Sequence, residues 1–109
     1  MLKDKMGFLQ KRTTGHIKHW KRRYFEVLAD SSVVRIWHED PSRRNGGVPK
    51  AQIDLERVQD VVQAGAMLTL RIISGSSEKV ETMQLRAGSQ EDAHQWAERL
   101  RAGAQHDVG

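Results

Sequence analysis

The stretch GFLQKRTTGHIKHWKRRYFEVL, residues 7–28, sets Lys11, Arg12, Lys18, Lys21, Arg22 and Arg23 among strong apolar residues, with Lys3 and Lys5 just upstream. Residues 1–28 hold eight Lys and Arg against Asp4 and Glu26, a local net of +6; the other residues hold ten against twelve acids, a net of −2. Basicity this local points to an anionic ligand or surface meeting one end of the fold. In a strand, residues two apart share a face. Leu9 and Lys11 therefore share one face, and Lys21, Arg23, Phe25 and Val27 share one face of the next segment. If Leu9, Phe25 and Val27 build the core, Lys11, Lys21 and Arg23 point the same way, at the strand ends beside the joining loop. Unpaired cations do not enter an apolar interior, because desolvation costs several kcal/mol per ion. They must line an open mouth and converge on water or on a polyanion. The alternative is that these long side chains bend outward into solvent. Arg12 and Arg22 fall on the opposite face and add general attraction.

Other chemistries find little support. There is no Cys, hence no disulfide framework, no thiolate zinc site and no thiol nucleophile. His16 and His19 sit three apart, His38, His94 and His106 lie elsewhere, and no carboxylates cluster, so no metal site is expected. Glu39-Asp40 reads as turn chemistry. Ser31, Ser32, Ser74, Ser76 and Ser77 fall in turns without a His–carboxylate partner at a suggestive spacing. The segment RRNGG has neither a phosphate-loop pattern nor a helix after it. Neither catalysis nor a cofactor is expected. Nucleic acid is disfavoured as a partner, because the cations alternate with a core face instead of lining an exposed helix or an aromatic sheet.

The elements that must position these residues follow from periodicity. The chain has 109 residues, 38% hydrophobic and 29% charged, which predicts one domain over 1–109 with a single core. It begins just before the first predicted strand and ends just after the last element, as an excised or N-terminal module of a larger protein would. No apolar run approaches the roughly eighteen residues of a membrane span, and MLKDKMGF lacks a signal-peptide core. Alternation predicts strands in MGFLQKR, WKRRYFEVL, SVVRIWH, KAQIDL, VQDVVQ, MLTLRIIS and VETMQLRA. EDPSRRNGGVP is a long loop after the third. The period then changes: Ala93, Trp96, Ala97 and Leu100 form one helical stripe, Ser89 and Asp92 have capping-box spacing, Arg99 and Arg101 sit in the final turns where they suit the helix dipole, and Gly103 reads as a C-terminal stop. The predicted fold is mainly β: seven antiparallel strands in a bent sandwich or barrel, capped by one C-terminal α-helix.

Gly7-Phe8-Leu9-Gln10-Lys11, then a loop, then Lys18-His19-Trp20-Lys21-Arg22-Arg23-Tyr24-Phe25, resembles the start of a pleckstrin-homology (PH) domain of the protein kinase B and cytohesin type. Strand order, the Pro/Gly-rich loop and Trp96 in the last helix extend the resemblance over the whole chain. It implies a phosphoinositide-headgroup-binding module that recruits its parent protein to membranes, is not an enzyme, and is cytoplasmic with peripheral membrane association. The implied partners are phosphoinositide lipids or soluble inositol phosphates, an anionic membrane surface and further proteins, for a domain that is a monomer in isolation. The family's basic signature carries over onto Lys11, Lys18, Lys21 and Arg23, and Lys50 matches a further basic position at the start of the fourth strand. His16, Arg12 and Arg35 are secondary candidates. Ile17, at the hairpin tip, either dips into the lipid interface or packs on its own loop. Ile36 falls where the family often offers a Tyr hydroxyl, although a one-residue slip would place Arg35 there. The alternative reading is a protein–protein interaction module on the same fold without lipid specificity.

Overall fold

The alternating segments do become strands. In the computed structural model, which describes residues 3–12, 19–41, 48–74 and 79–104, β1 spans Lys5–Arg12, β2 Trp20–Val27, β3 Val33–Trp37, β4 Ala51–Asp54, β5 Val58–Ala64, β6 Met67–Ser74 and β7 Lys79–Arg86. They form one antiparallel sheet in the order β4-β3-β2-β1-β7-β6-β5. The sheet is bent but not closed: β4 and β5 are its two edges. The seam is short, since β1 pairs β7 only at Gln10–Arg86 and Lys11–Leu85. A turn of 3-10 helix, Leu55–Arg57, joins β4 to β5, and Gly65 makes the left-handed step (φ +60°) between β5 and β6 that a residue without Cβ adopts without strain.

The core is the inward row of each strand. Leu9, Phe25, Val27, Val34, Ile36, Ile53, Leu68, Leu70 and Leu85 are buried together. Helix α1, Gln90–Ala104, adds Ala93, Trp96, Ala97 and Leu100 to the same cluster, as the stripe predicts. Ser89 caps it: its Oγ accepts from the Asp92 N–H at 3.0 Å, satisfying a donor that the first turn leaves open. The Trp96 ring packs edge-on to Phe25, centroids 6.3 Å apart.

Two features of α1 differ from the sequence reading. The helix does not stop at Gly103 but runs through it to Ala104. A Cβ there would collide with Leu55 and approach the Arg99 guanidinium at 3.0 Å, so the glycine serves close packing. Arg99 itself is only 7% exposed. Its Nε donates to the Lys3 carbonyl (2.6 Å) and its Nη2 to the Leu28 carbonyl (2.8 Å), which clips α1 to the start of β1 and the end of β2. Burial lowers the Arg99 pKa, with Asp4 opposing that shift. Lys5 reinforces the clip, its Nζ lying 3.0 Å from Asp92 Oδ1 and 5.3 Å from the centre of the Trp96 ring.

Candidate functional site

The helix closes one end of the β1–β2 hairpin, and the cations occupy the other. The Lys5–Val27 pair lies at the helix end and the Arg12–Trp20 pair at the loop end. Seven residue steps separate them, about 23 Å of strand.

Register places the inward row residue by residue. Leu9 faces Arg23, and Lys11 faces Lys21. Phe25 and Val27 continue the β2 row into the core, and Leu9 is 1% exposed, whereas Lys11 and Arg23 are half-buried and Lys21 is exposed. One face thus changes from apolar to cationic over two residues. Arg23 Nη1 is steadied by the Arg22 carbonyl at 3.0 Å.

Lys50 comes to this rim from the residue before β4, two strands over from β2. Its N–H donates to the Ile36 carbonyl at 2.7 Å, which ties the approach to β4 against the end of β3. Its pKa is lowered, first by desolvation and then by the positive charges of Arg23, Lys21 and Lys11. The four cations therefore share one field. Among the described residues, none of the four is ion-paired with a carboxylate.

His38 joins them, and no motif had marked it. Tyr24 faces Trp37, so the next residue, His38, extends the row opposite Arg23. Its pKa is lowered chiefly by Lys50, then by desolvation, Arg23 and Lys21, with Glu39 pulling the other way. The usable signal was parity: His38 follows Val34 and Ile36 at spacing two, on the inward face of β3.

The remaining candidates separate from the rim. Arg35 is on the outer face, opposite Glu26 in register and 3.9 Å from its carboxylate, while Ile36 is buried in the core. The slip that would have brought Arg35 to the mouth therefore does not occur. Arg12 is also on the outer face, its Nη1 donating to Gln84 Oε1 at 2.9 Å. Lys18, His16 and Ile17 lie outside the described residues. No group of three or more His, Asp or Glu that could hold a metal occurs among the described residues, and no helix described is long and apolar enough to cross a membrane.

Comparison with known proteins adds the family and the fold. The family model described as PH domain matches residues 3–105. No curated protein sequence matches the chain significantly. Among solved structures, the PH domain of human oxysterol binding protein-related protein 11 is 19% identical with a TM-score of 0.73, over 98% of this chain and 91% of that one. The Slm1-PH domain in complex with inositol-4-phosphate is 19% identical with a TM-score of 0.78, over 93% and 94%. The C-terminal PH domain of pleckstrin in complex with D-myo-Ins(1,2,3,5,6)P5 is 19% identical with a TM-score of 0.69, again over 93% and 94%.

Proposed function

The chain belongs to the pleckstrin-homology family, whose members are generally non-catalytic binding modules, and from that premise we propose that its cationic rim binds the phosphorylated headgroup of a phosphoinositide. Lys11, Lys21, Arg23 and Lys50 hold the ring phosphates, and Lys18 approaches from the β1–β2 loop. Binding recruits the parent protein to an anionic membrane as a peripheral, cytoplasmic module. The domain itself carries out no reaction.

One observation carries this reading. Four cations converge where an apolar row ends, and no carboxylate among the described residues neutralises them. Their mutual repulsion costs stability, and a multiply charged anion relieves it. The fold-level likeness to Slm1 and pleckstrin PH domains solved with inositol phosphates supports the ligand class. Magnitudes favour coordination over diffuse attraction. Four basic residues near an anionic bilayer contribute roughly 4 kcal/mol, a dissociation constant near millimolar. Charge-assisted hydrogen bonds contribute about 1.5–3 kcal/mol each, enough to reach micromolar after ordering costs.

The test is titration of the wild-type and Arg23→Ala domains with vesicles that differ only in their phosphoinositide. The expected result is preference for a phosphoinositide over phosphatidylserine at equal charge, lost on substitution. Equal binding to every anionic vesicle, or no loss in the variant, would refute a specific site.

A further inference from the structure

Among the described residues, β5 has a strand on one side only, β6. Register shows which backbone groups this leaves at the free edge. A two-residue turn, Gly65-Ala66, joins the two strands and makes Ala64–Met67 the hydrogen-bonded closing pair. By alternation Val62 and Thr69 are bonded too, whereas Val61 and Gln63, opposite Leu70 and Leu68, turn their N–H and C=O outward. Natural edges are blunted by lysine, proline or a bulge. A bulge between Val58 and Asp60 blunts only the start of β5. Beyond it, Val61-Val62-Gln63-Ala64 holds no charge and no proline, and Val62 is 48% exposed. What covers this stretch comes from the last turn of α1. Arg101 donates Nε (3.1 Å) and Nη2 (2.9 Å) to the Val61 carbonyl. Both bonds end on one oxygen, and among the described residues no carboxylate holds Arg101 there. A recess beside it, lined by Val58, Val61 and Ala104, gives the exposed side chain room to swing off the edge.

We propose that the free edge of β5 is a pairing surface for a second copy of the domain, and that Arg101 is the latch that keeps it closed in the dilute protein. An open strand edge selects another strand over a lipid headgroup or a nucleic acid, because its donors and acceptors alternate at the strand repeat. The stretch is complementary to itself. In an antiparallel register centred on Val62, Val61 of each copy exchanges both backbone bonds with Gln63 of the other. The two Val62 side chains then meet in a non-hydrogen-bonded pair, the class in which side chains lie closest. Asp60, the one charge in β5, falls opposite Ala64 and meets no like charge. Four strand bonds thus stand in place of two forks that each rest on a single oxygen, and an exposed valine is covered. The surface is built from β5 and α1 and takes nothing from the rim, so it stands apart from the headgroup reading.

The chain has no Cys, so one introduced thiol reports on one contact. A non-hydrogen-bonded antiparallel pair lies within the Cα separation that a disulfide spans. With glutathione disulfide as oxidant, Val62→Cys is therefore expected to form a covalent dimer roughly tenfold or more faster than Leu28→Cys. The latter, 38% exposed and outside the strands, is the control for random collision. Adding Arg101→Ala is expected to speed the first roughly tenfold again and to leave the second unchanged, since two hydrogen bonds then no longer compete. Arg101→Lys, which keeps the charge but cannot fork, should fall between. Without any introduced thiol, Arg101→Ala should sediment as a concentration-dependent dimer. In that dimer amide hydrogen exchange slows at Val61 and Gln63 but not at Val62, which already bonds to β6. Equal cross-linking of the two thiols, or cross-linking indifferent to Arg101→Ala, overturns the proposal. So does an Arg101→Ala domain that stays monomeric at every concentration, whose edge is then left to water or to a strand of another protein. A dimer in which Val61 and Gln63 exchange as fast as in the monomer places the contact on another face and overturns it as well.

Discussion

Leu9 and Lys11 are two residues apart on one face of β1, yet one is sealed in the core and the other half-exposed at the mouth. That step makes Arg23 and Lys21 the residues to remove, because they face Leu9 and Lys11 across the hairpin. Calorimetric titration with a soluble inositol phosphate should show Lys21→Ala and Arg23→Ala each weakening binding. At about 1.5–3 kcal/mol per charge-assisted bond, the loss is roughly ten- to 150-fold. Arg22→Ala, one residue away but stacked on Phe8, should change it by less than about twofold. His38 supplies an internal reporter. Its pKa is held down chiefly by Lys50, so Lys50→Ala should raise it toward the ordinary histidine value of about 6.5, followed by NMR titration of the ring protons. The sign for ligand binding follows by linkage. A bound polyanion favours the imidazolium, so the bound-state pKa lies above the free one and binding takes up a proton. Affinity should rise as pH falls through the interval from the bound to the free value. A flat affinity across that interval would remove His38 from the site.

At the scale of elements, α1 is held by contacts that local pattern does not reveal. Gly→Ala inside a helix ordinarily gains about 1 kcal/mol. At Gly103 the new methyl meets the side chains of Leu55, itself fully buried, and of the buried Arg99. Overpacking of this kind costs roughly 1–3 kcal/mol, so Gly103→Ala should lower the melting temperature despite its better propensity. For a domain of this size each kcal/mol corresponds to roughly 4–8 °C, readable by thermal denaturation. A rise in melting temperature would mean that the helix end shifts to accept the methyl. The same contacts mark where sequence reading stops. Alternation and the Ala93–Leu100 stripe carried strand order, the inward rows and the helix, because each is a local period. Gly103 looked like a stop and Arg99 like a dipole partner, because Leu55, Lys3 and Leu28 reach them only through the completed fold. Parity likewise selected Lys11, Lys21 and Arg23, whereas Lys50 needed the family likeness. His38 carries the same parity signal, two residues past Ile36, but no motif marked it.

Over the whole molecule, charge is polarised. The net of +6 in residues 1–28 is divided by the hairpin between an inward rim and an outward face. The remainder carries −2, and on the proposed reading this asymmetry turns the rim toward an anionic surface before any specific contact forms. Long-range attraction and close coordination respond differently to salt. Raising ionic strength from about 0.1 M to 1 M shortens the Debye length from about 10 Å to about 3 Å, which removes attraction to a uniformly anionic bilayer. Contacts at hydrogen-bond distance fall inside even the shorter length. Co-sedimentation with phosphatidylserine vesicles should therefore be lost over this range, whereas binding to vesicles doped with the preferred phosphoinositide should weaken but persist. The Lys21→Ala and Arg23→Ala double variant should behave on both vesicles as the wild type does on phosphatidylserine. It keeps Arg12, Arg22, Arg35 and Arg86 on the outer face and loses only the converging pair. If wild-type binding to both vesicles disappears at the same salt concentration, the rim acts as a charged patch and not as a site. The arrangement of its cations would then owe more to the alternation of the strands that carry them than to any ligand.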